Sequence, residues 1–242
     1  LPITIKSQSF NSLPPGLSPS PAVILYSSDS ILYAGGTFNW LADGTVINRI
    51  AQWKNNQWDS LGSGVNDGGV IKGIIEFNGT IYVAGTYNKI GGVVSKGLAM
   101  WDGSFWNYFG DFTTNQGYGS VFSLETDNGV LYIGGGFTSF NGSAAFGLVS
   151  YDGFNFYMFP PIGSVPTAIL SICFYNGDLY VGGNFDAGGG KNDIAKWDGS
   201  SWSALGSGVN LNTVAGEVRQ MAIAGSTMYV GGGFITVGNK VS

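Results

Sequence analysis

Short apolar runs separated by turn residues recur along the whole chain. Runs such as 121–124 and 168–174 end in Asn-Gly within a few residues, and a second apolar run follows at once. Asn-Gly between two apolar runs is a strong hairpin signal, because a type I′ turn needs positive φ at both central residues. No window keeps a 3.6-residue apolar period without a Gly or Pro interruption. The pattern therefore predicts an all-β protein with essentially no helix.

The hairpin pattern repeats with a period of about 49 residues. One block has the form Leu-Tyr-x-Gly-Gly-x-Phe, and its tyrosine recurs as Tyr33, Tyr82, Tyr132, Tyr180 and Tyr229. A second block, a spaced aromatic pair, follows four of these, as Trp53 with Trp58, Trp101 with Trp106, Tyr151 with Phe156 and Trp197 with Trp202. A fixed period of this length is typical of repeat architectures.

Each repeat predicts four short antiparallel strands, which we name A to D. Strand A is the apolar run before the Asn-Gly pair, and strand B is the Tyr-x-Gly-Gly block. Strand C ends in the first aromatic of the pair, and an Asp-Gly turn leads tightly into strand D. Four-stranded units repeated at 40–50 residues predict the blades of a β-propeller.

The first and last repeats are incomplete, and together they make one. The last has strands A and B over 218–234, whereas the segment 10–17 aligns with the strand D segment 202–209. We predict a single five-bladed domain in which N-terminal strands close the last blade and leave no exposed edge on the inner ring. The predicted limits are 18–66, 67–116, 117–164 and 165–215 for blades one to four, and 216–242 with 1–17 for blade five. The alternative is a segment of a longer propeller with six or seven blades.

Composition excludes several functions. The 242 residues include 10 Lys and Arg against 15 Asp and Glu, and the net charge of −5 leaves no basic footprint for nucleic acid. The absence of histidine removes the commonest general base and most zinc and copper sites, so we expect no metal and no cofactor. Glycines interrupt the longest uncharged apolar stretch, 130–151, so we expect no transmembrane segment in this chain.

The two blocks resemble the kelch-like propeller repeats of secreted bacterial proteins and of a fungal bud-site-selection surface protein. The resemblance rests on two motifs. They are Leu-Tyr-Val-Gly-Gly-x-Phe, as at 179–185, and Ile-Ala-x-Trp-Asp-Gly-x-x-Trp, as at 194–202. The central domain of galactose oxidase belongs to the same broad group. The resemblance implies a propeller and an extracellular or cell-surface location. Copper catalysis does not carry over, because this chain has no histidine ligands.

Repeated polar and aromatic residues have structural and functional interpretations. Asp102, Asp152 and Asp198 of the Asp-Gly pairs are expected to shape turns rather than bind calcium, which needs several oxygens on one loop. The tryptophans of the second block are expected to pack between blades, the alternative being platforms for sugars. Cys173 is expected to be a small buried apolar residue.

Variable loops are the expected binding surface. The B-to-C and D-to-A connections share one face and differ among repeats, and binding is normally built on such loops. Trp40, Tyr118 and Phe140 are the candidate contacts, because they are large apolar residues outside the repeat pattern. Asn141 and Asn78 lie in glycosylation sequons; Asn78 is expected in a tight turn, and Asn141, expected in a longer loop, is the better acceptor.

These observations favour a non-catalytic binding or adhesion module that recognises a protein or a glycan through the variable loops, within a larger surface protein or alone. One alternative is a multivalent lectin with one sugar site per blade. Another is a glycan-active enzyme that uses carboxylates alone. The acids outside the turns do not cluster in sequence, which disfavours the enzyme: they are Asp43, Glu76, Glu125, Asp193 and Glu217.

Overall fold

The computed structural model describes residues 17–18, 22–28, 30–186, 193–205, 208–211, 214–237 and 240–241. All regular secondary structure in these residues is β-strand, and every strand pairing is antiparallel. The prediction of an all-β chain without helices is confirmed for the described residues.

Four of the four-stranded sheets have the spatial order A-B-C-D that the repeat predicts. Sheet 1 comprises Ala22–Ser28, Ile31–Gly36, Ile50–Lys54 and Gln57–Ser60. Sheet 2 comprises Ile71–Phe77, Thr80–Gly85, Leu98–Trp101 and Trp106–Tyr108. Sheet 3 comprises Ser120–Asp127, Val130–Gly136, Leu148–Tyr151 and Phe156–Met158. Sheet 4 comprises Ser164–Tyr175, Asp178–Asp186, Ile194–Trp197 and Trp202–Ala204.

Sheet 5 is described as two strands, A at Val218–Ala224 and B at Thr227–Gly232. The predicted strands C and D of this repeat fall on residues 1–16, which lie outside the described residues. The five sheets follow one another in the chain, one for each repeat seen in the sequence.

The A-to-B and C-to-D turns lie at one end of the sheets, the turn end. Asn78 and Gly79 have φ values of 50° and 74°, and equivalent pairs at 128–129 and 176–177 also have positive φ, as a type I′ turn requires.

The C-to-D connection is longer than the tight Asp-Gly turn that we predict. In sheet 2 it is a four-residue loop in which the Asp102 carboxylate accepts hydrogen bonds from Ser104 N and Phe105 N, at 2.9 and 2.8 Å. Asp152 and Asp198 make the same contacts in sheets 3 and 4. The aspartate caps the loop with its side chain. Sheet 1 instead has a two-residue turn, Asn55-Asn56, with both φ positive.

The sheets pack against one another in chain order, with strand A of each in contact with strand A of the next. Buried apolar clusters fill the space between successive sheets. At each of three interfaces a strand B glycine receives side chains from the following strand A. A β-carbon on Gly35 would lie 2.4 Å from Ile71 Cγ2, and one on Gly182 would lie 2.4 Å from Val218 Cγ1. Gly134 receives Ile169 in the same way.

The tryptophan pairs connect neighbouring sheets, in agreement with the packing interpretation. Trp101 and Trp106 are buried, with ring centroids 5.1 Å apart. The Trp106 Nε1 donates to Leu61 O of sheet 1 at 2.9 Å, and the equivalent Trp202 Nε1 donates to Pro160 O at 3.0 Å. These rings therefore contribute burial and a fixed contact between sheets.

Cys173 is buried in the cluster between sheets 4 and 5. Desolvation raises the pKa of its thiol to about 11, so at neutral pH it is a protonated, unreactive apolar group, as expected.

Candidate functional site

The B-to-C and D-to-A connections meet at the other end of the sheets, the loop end, and there they form small sheets of their own. In the described residues, three D-to-A connections pair with the B-to-C connection of the next sheet. The described pairings join Leu17–Ser18 with Trp40–Leu41, Phe112–Thr114 with Ser139–Phe140, and Val209–Leu211 with Thr236–Val237. These pairings hydrogen-bond backbone N–H and C=O groups that would otherwise bond to water. The paired segments therefore give the loop end an ordered surface.

The junction between sheets 2 and 3 is closed. Here the hairpin of Phe112–Thr114 and Gly117–Tyr118 pairs with the hairpin of Ser139–Phe140 and Ser143–Ala144 to make a four-stranded loop sheet. The Phe112 and Phe140 rings face each other beneath it, with centroids 4.7 Å apart. Phe140 is only 1% exposed. Its selection as a surface contact is therefore corrected: it is a core residue, because pairing with 112–114 turns the ring inward.

The junction between sheets 1 and 2 uses a different solution. The hairpin Lys89–Ile90 with Val93–Val94 has no described strand beside it from the preceding connection. Instead the Asp67 carboxylate accepts backbone hydrogen bonds from Asn88 N and Lys89 N, at 2.6 and 3.0 Å, and from Gly69 N at 3.1 Å. The Asp67 carboxylate thus bridges this junction together with single backbone hydrogen bonds, from Gly91 N to Gly64 O at 2.8 Å and from Thr86 N to Val70 O at 3.0 Å, where the next junction has paired strands.

A groove of about 640 Å³ lies on this side of the loop end. That volume is within the range of small-molecule and side-chain binding sites. The groove combines an exposed aromatic ring and an exposed valine with amides, a hydroxyl and one charge of each sign. Its lining residues are Ser63, Gly64, Asn66, Asp67, Asn88, Lys89, Gly92, Val94 and Tyr118.

Tyr118 forms the far wall of the groove, at the end of the closed junction. Its side chain is 59% exposed, and Lys96 Nζ lies 5.2 Å from the ring centroid, within cation–π range. Lys96 is itself held by Asp111, whose carboxylate it meets at 2.8 Å. This hydrogen bond is the main cause that raises the pKa of Lys96, so the cation beside the ring persists at neutral pH.

The remaining sequence candidate, Trp40, is 42% exposed but lies elsewhere. It pairs with Ser18 in the strand pairing at sheet 1 and does not line the groove. The structure therefore separates the three candidate contacts: Tyr118 in the groove, Trp40 at another junction, and Phe140 in the core.

Both candidate glycosylation sites lie in two-residue turns. Asn141 and Gly142 have φ values of 49° and 79°, so the loop of Asn141 is as tight as that of Asn78, contrary to our expectation. Asn141 Oδ1 accepts a hydrogen bond from Asp111 N at 2.9 Å. Its side chain therefore helps to order the loop sheet, and the reason for preferring it over Asn78 disappears.

The turn aspartates are held as carboxylates by hydrogen bonds from their own loops. Backbone hydrogen bonds lower the pKa of Asp102 and Asp152, and they lower that of Asp198 to about 2. Each carboxylate is occupied by its own loop. Nowhere in the described residues do three or more Cys, Asp or Glu side chains gather as a metal site would require. The other five acids of the sequence analysis are spread over the five repeats.

Asp67, Asn88 and Lys89 are site residues that the sequence analysis does not single out. The available signal is Asp67 itself, since Asn-Asp-Gly-Gly at 66–69 is a strong loop sequence. Two of the three partners of its carboxylate, Asn88 N and Lys89 N, lie 21 and 22 residues away, beyond the reach of local patterns.

Comparisons with known proteins give a short sequence match and a likeness of fold. No protein-family model matches the chain. A 56-residue segment, 22% of the chain, is 41% identical to polarized growth protein L1 of Phoma sp. and spans 4% of that protein.

Among solved structures, the chain is similar to the extracellular domain of a putative hybrid two-component system from B. thetaiotaomicron. The TM-score is 0.60 at 14% identity, and the match covers 89% of this chain and about a quarter, 26%, of that one. A computationally designed protein, Ika8, gives a TM-score of 0.48 at 13% identity, over 86% of this chain and 67% of its own. The first likeness supports the all-β fold.

A helix that could span a membrane is not found among the described residues.

Proposed function

We propose that this chain is a non-catalytic binding or adhesion module at the cell surface or outside the cell, and that it engages a protein or glycan partner through the loop end. The observation that carries this proposal is the groove at the junction of sheets 1 and 2. It is open where the next junction is closed, and it presents Tyr118 and Val94 to solvent beside Asn66, Asn88 and Lys89.

The chemistry of the groove is that of recognition. Exposed aromatic rings supply contact area at low conformational cost, and amides and hydroxyls supply orientation. Asp67 is occupied by three backbone N–H groups, so it acts as a structural support of the wall. An extracellular location draws support from the extracellular domain among the structural matches.

The lectin alternative requires equivalent sites in successive repeats. The described junctions differ from one another in pairing, aromatic content and openness. They therefore favour one binding groove over several equal sugar sites.

A binding assay with matched tyrosine variants tests the proposal. Tyr118→Ala removes the exposed ring from the groove, whereas Tyr157→Ala removes a similarly exposed ring, 53%, from the turn end. The chain is screened against a glycan array and against cell-surface extract. We expect a saturable partner whose affinity falls at least about tenfold in Tyr118→Ala and is unchanged in Tyr157→Ala. Binding that is insensitive to both substitutions, or no partner in either screen, contradicts the proposal.

For the scaffold we propose a five-bladed propeller of kelch-like type, closed by N-terminal strands C and D. The two end sheets present complementary unfilled faces. Leu25 of sheet 1 is 64% exposed, although the equivalent Ile74 and Met221 are buried against the preceding sheet. At the other end, a β-carbon on Gly231 would meet no atom of the described residues nearer than Gln220 O, at 3.9 Å. A cavity of about 250 Å³ beside Trp58 could receive the end of the proposed strand D.

Deletion of residues 1–13 tests the closed ring. We expect the melting temperature to fall by at least about 10 °C, because several kcal/mol of strand pairing and burial are lost from a chain of this size. A peptide of residues 1–17, added in trans, should restore part of the loss. An unchanged melting temperature contradicts five-bladed closure and favours the longer propeller.

A further inference from the structure

The innermost strand of every sheet carries a β-bulge at the same repeat position. The register between strands A and B skips one residue of strand A, ten positions before the strand B tyrosine, in all five sheets. The skipped residues are Val23, Lys72, Phe122, Leu170 and Arg219. A bulged residue leaves the ladder and its side chain is redirected. The repeat thus provides one redirected side chain in each of sheets 2 to 5.

Four of these side chains line a single cavity of about 450 Å³. They come from sheets 2, 3, 4 and 5, whose A strands pack on one another in sequence, so the cavity lies among the innermost strands. We call it the axial cavity. It is lined by Lys72, Phe122, Leu170, Glu217, Arg219 and Gln220.

The axial cavity combines positive charge with apolar surface. Arg219 donates through Nε and Nη2 to the Glu217 carboxylate, at 3.1 and 3.0 Å, which leaves its remaining N–H groups available. Lys72 is half-buried and makes no ion pair with any described residue. With Glu217 counted, the lining carries one net positive charge, beside the half-buried Phe122 and Leu170.

From this arrangement we infer that the axial cavity binds a small organic monocarboxylate with an apolar body. Lys72 and the free edge of Arg219 contact the carboxylate, and Phe122 and Leu170 contact the body of the ligand. A guanidinium and an ammonium group are the usual partners of a carboxylate, and the volume suits a ligand of modest size. Glu217 holds Arg219 and disfavours dianions. This site is separate from the loop-end groove.

The test uses sodium benzoate and 4-methylpentanoate as probes, with benzamide and 4-methylpentanamide as neutral counterparts of the same shape. Binding is measured by calorimetry and by backbone amide NMR shifts on the full chain. We expect the carboxylates to bind saturably, at least about tenfold more tightly than the amides. The shifts should fall on the A strands of sheets 2 to 5.

Lys72→Met removes the charge and keeps the apolar stem, whereas Lys54→Met removes an exposed lysine at the turn end. We expect about a tenfold loss of benzoate affinity in Lys72→Met and Arg219→Gln, and none in Lys54→Met or Tyr118→Ala. Circular dichroism and melting of each variant establish that it is folded. Equal binding of acid and amide, equal affinity in Lys72→Met and wild type, or no binding up to about 10 mM probe overturns the inference.

Discussion

The two ends of the sheets differ in how strictly they follow the repeat. At the turn end, sheets 2, 3 and 4 use the same Asn-Gly turn and the same aspartate cap. At the loop end, neighbouring junctions use different chemistry: buried phenylalanines under a loop sheet between sheets 2 and 3, and one carboxylate beside an open groove between sheets 1 and 2. Regular turns hold the scaffold, and irregular junctions create distinct surfaces on it.

The closed junction should be the most sensitive to truncation. Phe112→Ala leaves a cavity among Phe109, Phe137 and Phe140, and we expect it to lower the free energy of unfolding by about 3–5 kcal/mol. The measurement is equilibrium denaturation in urea. The neighbouring exposed ring provides the control, since Tyr118→Ala should change stability by less than about 0.5 kcal/mol. Equal effects of the two substitutions contradict the assignment of one ring to the core and the other to the groove.

The open junction should be less costly to break. Asp67→Ala removes the acceptor of three backbone N–H groups that water can partly satisfy, so we expect a loss of about 1–2 kcal/mol. Asp67→Asn keeps one carbonyl acceptor and should recover part of it. Hydrogen exchange of the Asn88 and Lys89 amides locates the effect. If their exchange rates are the same in Asp67→Ala and wild type, the carboxylate does not order this hairpin.

The turn end should respond uniformly and weakly to acid. The backbone amides of Ser200 and Ser201 hold the pKa of Asp198 at about 2, below the ordinary 3.8, so its stabilising contribution is complete above pH 3.8. That contribution disappears as the pH falls through about 2.

Carboxyl carbon NMR measures this titration directly. We expect a midpoint of about 2 for Asp198 and midpoints below 3.8 for Asp102 and Asp152. Because these groups are exposed, the accompanying change in stability is the smallest of the three effects. An ordinary midpoint for any one of them breaks the equivalence of the turns.

Much of the scaffold follows from the sequence, because its signals are local. The Asn-Gly pairs at 78–79 and 128–129 set hairpins, and the paired tryptophans mark strands C and D. The loop end is harder to predict, since its partners are far apart in the chain. Phe140 is buried where residues 112–114 pair with its strand. Asp67 supports the hairpin at 89–94 through its hydrogen bond from Asn88 N. Nor does a periodic sequence show which residue of strand A is bulged, so Lys72 carries no signal of its own.

The glycine contacts between sheets have a consequence for how such a protein changes in size. Sheets 1, 3 and 4 each offer a glycine hollow on one side, as at Gly35, and the following sheet fills it, as Ile71 does, whereas sheet 2 has Ala84 at this position. A segment one period long, such as 165–215, contains both halves of the contact, Ile169 and Gly182. Duplication or loss of such a segment in a gene would change the number of interfaces between sheets but keep the same kind of contact in each. The protein can therefore gain or lose whole repeats without a new packing contact.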